Sequence, residues 1–91
     1  IEVSVPEGFS PNGDGINDVF AIPDLEAFPA NSVKVYNRWG GLVYEVVQYK
    51  QDWAGKNDDG ELLPDGTYFY VIDLGIGQEA QIGYVYITTN R

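Results

Sequence analysis

Turn-forming residues divide this chain of 91 residues into short pieces. Gly, Pro, Asn and Asp recur about every 8 to 12 residues, and no apolar stretch keeps helical spacing for the roughly ten residues that a helix needs. The stretches between the turns are rich in Val, Ile, Tyr and Thr, which favour strands. They are IEVSV, DVFAI, SVKVYNRW, GLVYEVV, TYFYVIDLG and AQIGYVYITT. The pattern predicts an all-β fold, in which PDLEAFPA makes at most one helical turn between Pro23 and Pro29.

A single antiparallel immunoglobulin-like β-sandwich fits this spacing. About six to seven strands in a domain of roughly 90 residues favour a sandwich over a barrel. Gly40 and Gly41 join two strands in a hairpin, and the sequence PDG at residues 64–66 marks the turn before the most apolar strand. We expect residues 1–91 to form one domain. The side chains expected in its core are Phe20, Ile22, Val33, Val35, Phe69, Val71 and Val85.

The composition narrows the range of functions. Fourteen acidic residues against five basic ones give a formal charge of −9, which repels nucleic-acid backbones and anionic membranes. The absence of Cys, His and Met removes thiolate and imidazole nucleophiles, the usual zinc sites, haem ligation and disulfides. No apolar run reaches the roughly 18 residues of a membrane span. We therefore expect a module of a longer protein that is not an enzyme, has no nucleic-acid partner and does not insert into membranes.

The stretch SPNGDGIND, residues 10–18, is a candidate calcium loop. With Gly15 at the sharp turn of an EF-type loop, alternate positions supply oxygen ligands. These are Asn12, Asp14, Ile16 through its backbone carbonyl, and Asp18. Ala21 stands where such loops have a bidentate Glu, so the affinity is modest unless Asp24 or Glu26 completes the shell. The alternative is a network of Asx turns, in which the same Asn and Asp side chains bond nearby backbone N–H groups.

Two other groups of residues have both a functional and a structural interpretation. The acidic side chains of residues 52–65 could hold a second metal ion or act as paired carboxylates, although a small sandwich rarely builds the cleft of a glycosidase. They are Asp52, Asp58, Asp59, Glu61 and Asp65. The structural interpretation is a polar loop that reverses at residues 57–60 over a packed Trp53. Similarly, Trp39 and Trp53, with Tyr49 between them, form either a sugar-stacking platform or buried packing at the end of a sheet.

Four motifs in combination resemble the gliding-motility-associated C-terminal domain, which is the type B sorting domain of the type IX secretion system. They are FSPNGDGINDVFAI, VKVYNRWGGLVYE, DWAGKNDDGELLPDGTYFYVI and the closing GYVYITTNR, so the resemblance covers nearly the whole chain. The second half is also similar to the immunoglobulin-like module of flagellar hook-cap proteins. Its W-x-G and D-G-x-Y-x-Y pattern is matched by Trp53, Gly55, Asp65, Gly66, Tyr68 and Tyr70. Both resemblances imply a β-sandwich.

The sorting-domain resemblance implies a signal that carries a large cargo protein across the outer membrane of a gram-negative bacterium, to the cell surface or the medium. The implied partners are the type IX machinery or its outer-membrane adaptor, and the N-terminal cargo region of the same chain. The resemblance implies no catalytic residue, and calcium rests on spacing alone. The alternative function is an adhesin-type or carbohydrate-binding module of a surface protein. We expect Arg91 to be the natural C-terminus, and deletion of residues 84–91 to unfold the signal by removing an edge strand.

Overall fold

The computed structural model describes residues 3–10 and 18–88. Five strands form one sheet with the order β1-β5-β4-β2-β3. They are β1 (Gly8–Phe9), β2 (Ser32–Tyr36), β3 (Leu42–Val47), β4 (Gly66–Asp73) and β5 (Gln81–Ile87). A 3₁₀ turn over Pro23–Ala27 matches the single helical turn predicted there. The fold is therefore all-β, and none of the helical structure in the described ranges is long and apolar enough to cross a membrane.

The hairpin of β2 and β3 shows how the sequence forms strands here. Val33 and Val35 alternate with less buried neighbours, and both are fully buried on the inner face of the sheet. In the turn, the N–H of Asn37 donates to the carbonyl of Gly41 at 2.9 Å, and the N–H of Gly40 donates to the carbonyl of Asn37 at 3.0 Å. Gly40 has a φ of 83°, a conformation that residues with a side chain rarely adopt. The predicted hairpin is confirmed.

One edge of the sheet differs from the prediction. β1 runs parallel to β5, with Gly8 opposite Tyr86 and Phe9 opposite Ile87, so the sheet is mixed and not purely antiparallel. The close approach depends on glycine, because a Cβ at Gly8 would lie 2.7 Å from the carbonyl oxygen of Tyr86. β5 consequently lies between β1 and β4. The expectation that the last strand forms an edge is therefore wrong.

Two irregular segments, residues 18–31 and 48–65, pack their buried side chains against the inner face of the sheet. Strand pairing in the part of the chain that the structure describes forms one sheet, so an immunoglobulin-like sandwich of six to seven strands is not confirmed. Prolines and the positive φ angles of Gln48 and Gln51, 56° and 64°, interrupt the extended backbone that a second sheet requires. The stretches IEVSV and DVFAI, predicted as strands, instead contribute individual buried side chains to the core. These are Val3 from the first stretch, and Phe20 and Ile22 from the second.

The core lies between the sheet and these two segments. The predicted core residues that are fully buried are Phe20, Ile22, Val33, Val35 and Val85. The prediction that Phe69 and Val71 lie in the core is wrong, because Phe69 is 43% exposed and Val71 is only half-buried. Side chains alternate along β4, and the inner positions belong to Tyr68, Tyr70 and Ile72. Both sets are apolar, so the sequence pattern does not distinguish the two faces of β4.

Candidate functional site

The predicted calcium loop lies mostly outside the described residues. Asn12, Asp14 and Ile16 are not among them, whereas Asp18 is described and is half-buried. The residues on either side of the stretch are well anchored. The rings of Phe9 and Phe20 stack with their centroids 5.7 Å apart, and both also contact Trp53. The core therefore holds the two flanks of the motif beside each other.

Residues 18–22, which follow this motif, are hydrogen-bonded to residues 49–53. The N–H of Phe20 donates to the carbonyl of Trp53 at 2.9 Å, and the hydroxyl of Tyr49 donates to the carbonyl of Phe20 at 2.6 Å. The same hydroxyl accepts from the N–H of Trp53 at 3.1 Å. We call residues 18–22 and 49–53 together the clasp. The clasp positions the C-terminal end of the candidate loop against the core.

Two glutamine side chains pair with the backbone as a neighbouring strand would. Gln51 accepts from the N–H of Ile22 and donates to its carbonyl at 2.8 Å. Gln81 accepts from the N–H of Val3 at 2.9 Å and donates to its carbonyl at 3.0 Å. Each amide thus satisfies a donor and an acceptor of a buried residue that has no strand partner at that point. Neither glutamine could be predicted from the sequence, because an isolated Gln carries no pattern.

Asn31 joins the 3₁₀ turn to the clasp. Its side-chain Nδ2 donates to the carbonyls of Leu25 at 3.2 Å and Phe28 at 2.7 Å, and its Oδ1 accepts from the N–H of Tyr49 at 3.0 Å. The residue is only 3% exposed. A buried amide in a loop costs free energy unless its polar groups are paired, and here each of them is. Asn31 was also missed by the sequence analysis, since its partners are set by the tertiary structure.

Tyr49 of the clasp and Tyr44 of β3 are not suited to proton transfer near neutral pH. Burial raises the pKa of Tyr49 well above its ordinary value. Burial, with smaller contributions from the charges of Asp52 and Asp58, raises the pKa of Tyr44 to about 12. Tyr44 stacks on Trp53, with the ring centroids 5.1 Å apart. These hydroxyls stay protonated at neutral pH and act as packing and hydrogen-bonding groups.

The acidic loop of residues 52–65 is organised by an Asx turn. The Oδ1 of Asn57 accepts from the N–H groups of Asp59 at 3.0 Å and Glu61 at 2.9 Å, and the N–H of Gly60 donates to the carbonyl of Asn57. Trp53 is buried beneath, as predicted, and its Nε1 donates to the carbonyl of Lys56 at 2.7 Å. No three acidic side chains within residues 3–10 and 18–88 come close enough to hold a metal ion together.

The two tryptophans differ in environment. Trp53 is in the core, whereas Trp39, at the tip of the β2–β3 hairpin, is 78% exposed. The prediction of buried packing is therefore wrong for Trp39, which lies in the turn beyond the end of the sheet. The guanidinium of Arg38 lies over its ring, 4.4 Å from the centroid. The tryptophans do not form a joint platform, since one of them is buried.

The sheet presents a largely apolar outer face, which the sequence analysis did not identify as a surface. Its rows of side chains cross the strands, with Tyr36 opposite Phe69 and Phe69 opposite Tyr84. The exposed large side chains on this face are Leu42, Val47, Phe69, Ile82, Tyr84 and Tyr86. A signal for this surface is present in the sequence, because in β4 and β5 apolar side chains occur at the outward positions as well as at the inward ones. We call this surface the outer face.

Comparisons with known proteins agree with the predicted class. The family profile of the CHU_C type IX secretion signal domain matches residues 3–87. A similar fold occurs in the solved structure of PorZ, described as an essential bacterial surface component of the type IX secretion system of Porphyromonas gingivalis. That match has a TM-score of 0.52 and 18% identity, and it covers 64% of this chain but 8% of the PorZ chain. No curated protein sequence matches the chain. Because the family profile spans nearly the whole sequence, the chain belongs to the CHU_C type IX secretion signal domain family.

Proposed function

We propose that this domain directs a large cargo protein, to which it is joined at the C-terminal end, through the type IX secretion system to the cell surface or the medium. The membership of residues 3–87 in the secretion signal family is the observation that carries the proposal. The proposed partners are the outer-membrane adaptor of the machinery and the N-terminal cargo region of the same chain. In this proposal the domain is a sorting signal that the machinery recognises, and it catalyses no reaction. The protonated, hydrogen-bonded Tyr49 of the clasp is consistent with that role.

The proposed signal is a folded surface and not a linear tag. β5 carries two fully buried side chains, Val85 and Ile87, and pairs with β4 along seven registered positions. It also holds β1 and, through Gln81, the backbone of Val3. Residues from both ends of the described chain therefore depend on β5. Removing it should collapse the sheet and expose the core.

The experiment fuses residues 1–91 to the C-terminus of a reporter in a host with type IX machinery. The wild-type fusion should reach the cell surface or the medium, and a fusion that lacks residues 84–91 should stay inside the cell. Val85→Asp places a charge in the core and should also abolish export, whereas Asp58→Asn at an exposed turn should not. Normal export of Val85→Asp would identify a linear tag and contradict the folded-surface mechanism.

An adhesin-type or carbohydrate-binding module is the second candidate function. The exposed ring of Trp39 favours it, because aromatic rings on a surface can stack on sugars. A glycan pull-down with the purified domain tests this function, with Trp39→Ala as the variant and export of the same fusion measured in parallel. Retention of glycan that is lost in Trp39→Ala, together with no export of the wild type, would favour the binding module over the sorting signal.

We also propose that Asn12, Asp14, Ile16 and Asp18 bind calcium, with Ile16 contributing its backbone carbonyl. The support is the ligand spacing and the contact between the rings of Phe9 and Phe20, which brings the two flanks of the motif together. In an EF-type calcium loop, the hard cation neutralises the carboxylates that ligate it. In the role proposed here, calcium stabilises the domain and takes no part in a reaction.

A further inference from the structure

The outer face exposes large aromatic and aliphatic side chains on adjacent strands. Ile82 is 72% exposed, Tyr84 is 55% exposed and Tyr86 is 48% exposed, all on β5. Phe69 of β4 lies directly opposite Tyr84 in the register, and Val71 lies opposite Ile82. These side chains form one continuous area across the pleat, because paired residues on the same face are neighbours. Contiguous apolar area of this kind marks an interaction surface.

The charges around this area are mostly negative. Lys34 is the basic side chain of the outer face within the described residues, and its Nζ lies 3.8 Å from the carboxylate of Glu45. Asp73 ends β4 on the same face, and the exposed Glu79 lies in the loop that leads into β5. The cation on the strands of the outer face is thus engaged by an acidic neighbour, and Arg38, in the hairpin turn at one end of this face, lies over the ring of Trp39. A partner with positive charge of its own would complement Asp73 and Glu79 at this margin.

The net charge of the chain indicates which kind of partner could bind the outer face. Two copies of a chain with a formal charge of −9 repel each other, and a two-fold interface would bring the same acidic margin together twice. An anionic membrane surface is disfavoured for the same reason. A protein with an apolar ridge and flanking Lys or Arg side chains matches both the apolar area and its acidic margin. Tyrosine and phenylalanine rings lose little conformational entropy on binding, which suits such an interface.

We propose that the outer face docks on an apolar ridge flanked by basic side chains, carried by a protein of the type IX machinery. The proposal rests on the sorting function above and assigns that function to one surface. The contact residues are Phe69, Ile82 and Tyr84, with Asp73 as an acidic contact at the margin. The clasp packs in the core beneath the opposite face of the sheet and does not form this interface.

The test uses the reporter fusion of residues 1–91 with two variants of matched chemistry. Phe69→Glu places a carboxylate on the outer face, and Leu62→Glu places one in the loop layer on the opposite side of the sheet. The two residues are equally exposed in the wild type, 43% and 42%. We expect Phe69→Glu to reduce the exported reporter by about tenfold or more and Leu62→Glu to leave it within about twofold. Equal export of the two variants would overturn the proposal and leave the sorting function intact.

Photo-crosslinking is a second test, and it introduces no new charge that could disturb folding. A photo-crosslinking phenylalanine analogue replaces Tyr84 in one fusion and Leu62 in another, and the exported pool and the membrane fraction are irradiated. Position 84 should crosslink to an outer-membrane protein of the machinery, and position 62 should not. Crosslinking from position 62 alone would overturn the proposal. If the wild-type fusion is not exported at all, the sorting function fails, and this inference fails with it.

The charge of the occupant is tested separately. Asp73→Lys should lower export several-fold if the docking ridge is basic, whereas Asp58→Lys makes the same change at a turn away from the outer face. Export of Asp73→Lys at the wild-type level would refute a basic partner. Sedimentation of the purified chain is the remaining check. A dimer that dissociates in Tyr84→Glu would assign the outer face to a second copy of the chain and overturn the proposal.

Discussion

Replacing Asn31 with Asp would test how the irregular layer over the sheet is held. The side chain of Asn31 donates from Nδ2 to the carbonyls of Leu25 and Phe28 and accepts at Oδ1 from the N–H of Tyr49. A carboxylate has the same shape and keeps the acceptor, but it loses the donor. It also sets a negative charge against two carbonyl oxygens at a position that is 3% exposed. The substitution therefore removes the two donated hydrogen bonds without changing the shape of the side chain.

The expected loss follows from the burial. An uncompensated buried charge costs about 3 to 5 kcal/mol, and each lost hydrogen bond accounts for about 1 kcal/mol of that range. For a domain of this size, 1 kcal/mol lowers the melting temperature by about 4 to 8 °C. Asn31→Asp should therefore melt more than about 12 °C below the wild type at pH 7.

The loss should depend on pH in a defined direction. The folded state favours the neutral form of the introduced carboxyl, so its pKa in the folded state lies above the unfolded value of about 3.9. Between these two pKa values the folded state binds a proton that the unfolded state does not. The stability of Asn31→Asp relative to the wild type should therefore rise as the pH falls from 7 towards 4, by up to about 1.4 kcal/mol per pH unit.

Asn37→Asp is the matched control. The Oδ1 of Asn37 accepts from the N–H groups of Trp39 and Gly41 in an exposed turn, so a carboxylate can take its place. Urea and thermal unfolding followed by circular dichroism at pH 7 and pH 4.5 measure all three proteins. Equal losses for Asn31→Asp at the two pH values, or a melting temperature at pH 7 that matches the wild type, would refute the reasoning.

Three further predictions concern the core, the clasp and the candidate calcium loop. Phe20→Ala should cost about 3 to 5 kcal/mol and Phe69→Ala less than about 1 kcal/mol in urea unfolding, because only Phe20 is buried; equal costs would contradict the assignment of faces. The raised pKa of Tyr49 keeps its hydroxyl protonated in the folded state above pH 10, whereas the same hydroxyl ionises in the unfolded state. The free energy of unfolding should therefore fall by about 1.4 kcal/mol per pH unit as the pH rises above 10. Tyr49→Phe should flatten this slope. Millimolar calcium should raise the melting temperature in calorimetry, because a hundredfold excess over Kd stabilises the folded state by about 2.7 kcal/mol. Asp14→Asn should lose most of this gain, and Asp59→Asn should keep it. Superimposed calorimetric traces in calcium and in chelator would exclude the site.

Local sequence patterns predicted the elements whose contacts are close along the chain. The hairpin at residues 37–41 follows from glycines at a tight turn, and the turn at residues 57–60 follows from Asn and Gly at fixed positions. Val33 and Val35 follow from alternation with less buried neighbours. In each case the residues that decide the conformation lie within a few positions of one another, so the pattern is visible in the sequence.

Contacts between distant segments could not be predicted in this way. Gln81 bonds to Val3, which is 78 positions away, and Gln51 bonds to Ile22, which is 29 positions away. Neither pairing leaves a periodic signal. The parallel pairing of β1 is equally hidden, since it involves two residues of which one is Gly8. These contacts replace the second sheet that strand propensity predicted, and only the tertiary structure reveals them.

The parallel register of β1 and β5 has a mechanical consequence. Both strands point the same way, so a force that pulls residue 3 away from residue 88 loads their hydrogen bonds lengthwise, in shear. The bonds from Tyr86 to Glu7 and from Thr88 to Phe9 would then have to break together, whereas antiparallel strands pulled from adjacent ends unzip one bond at a time. The parallel register is therefore the one that better resists tension applied along the chain between residues 3 and 88.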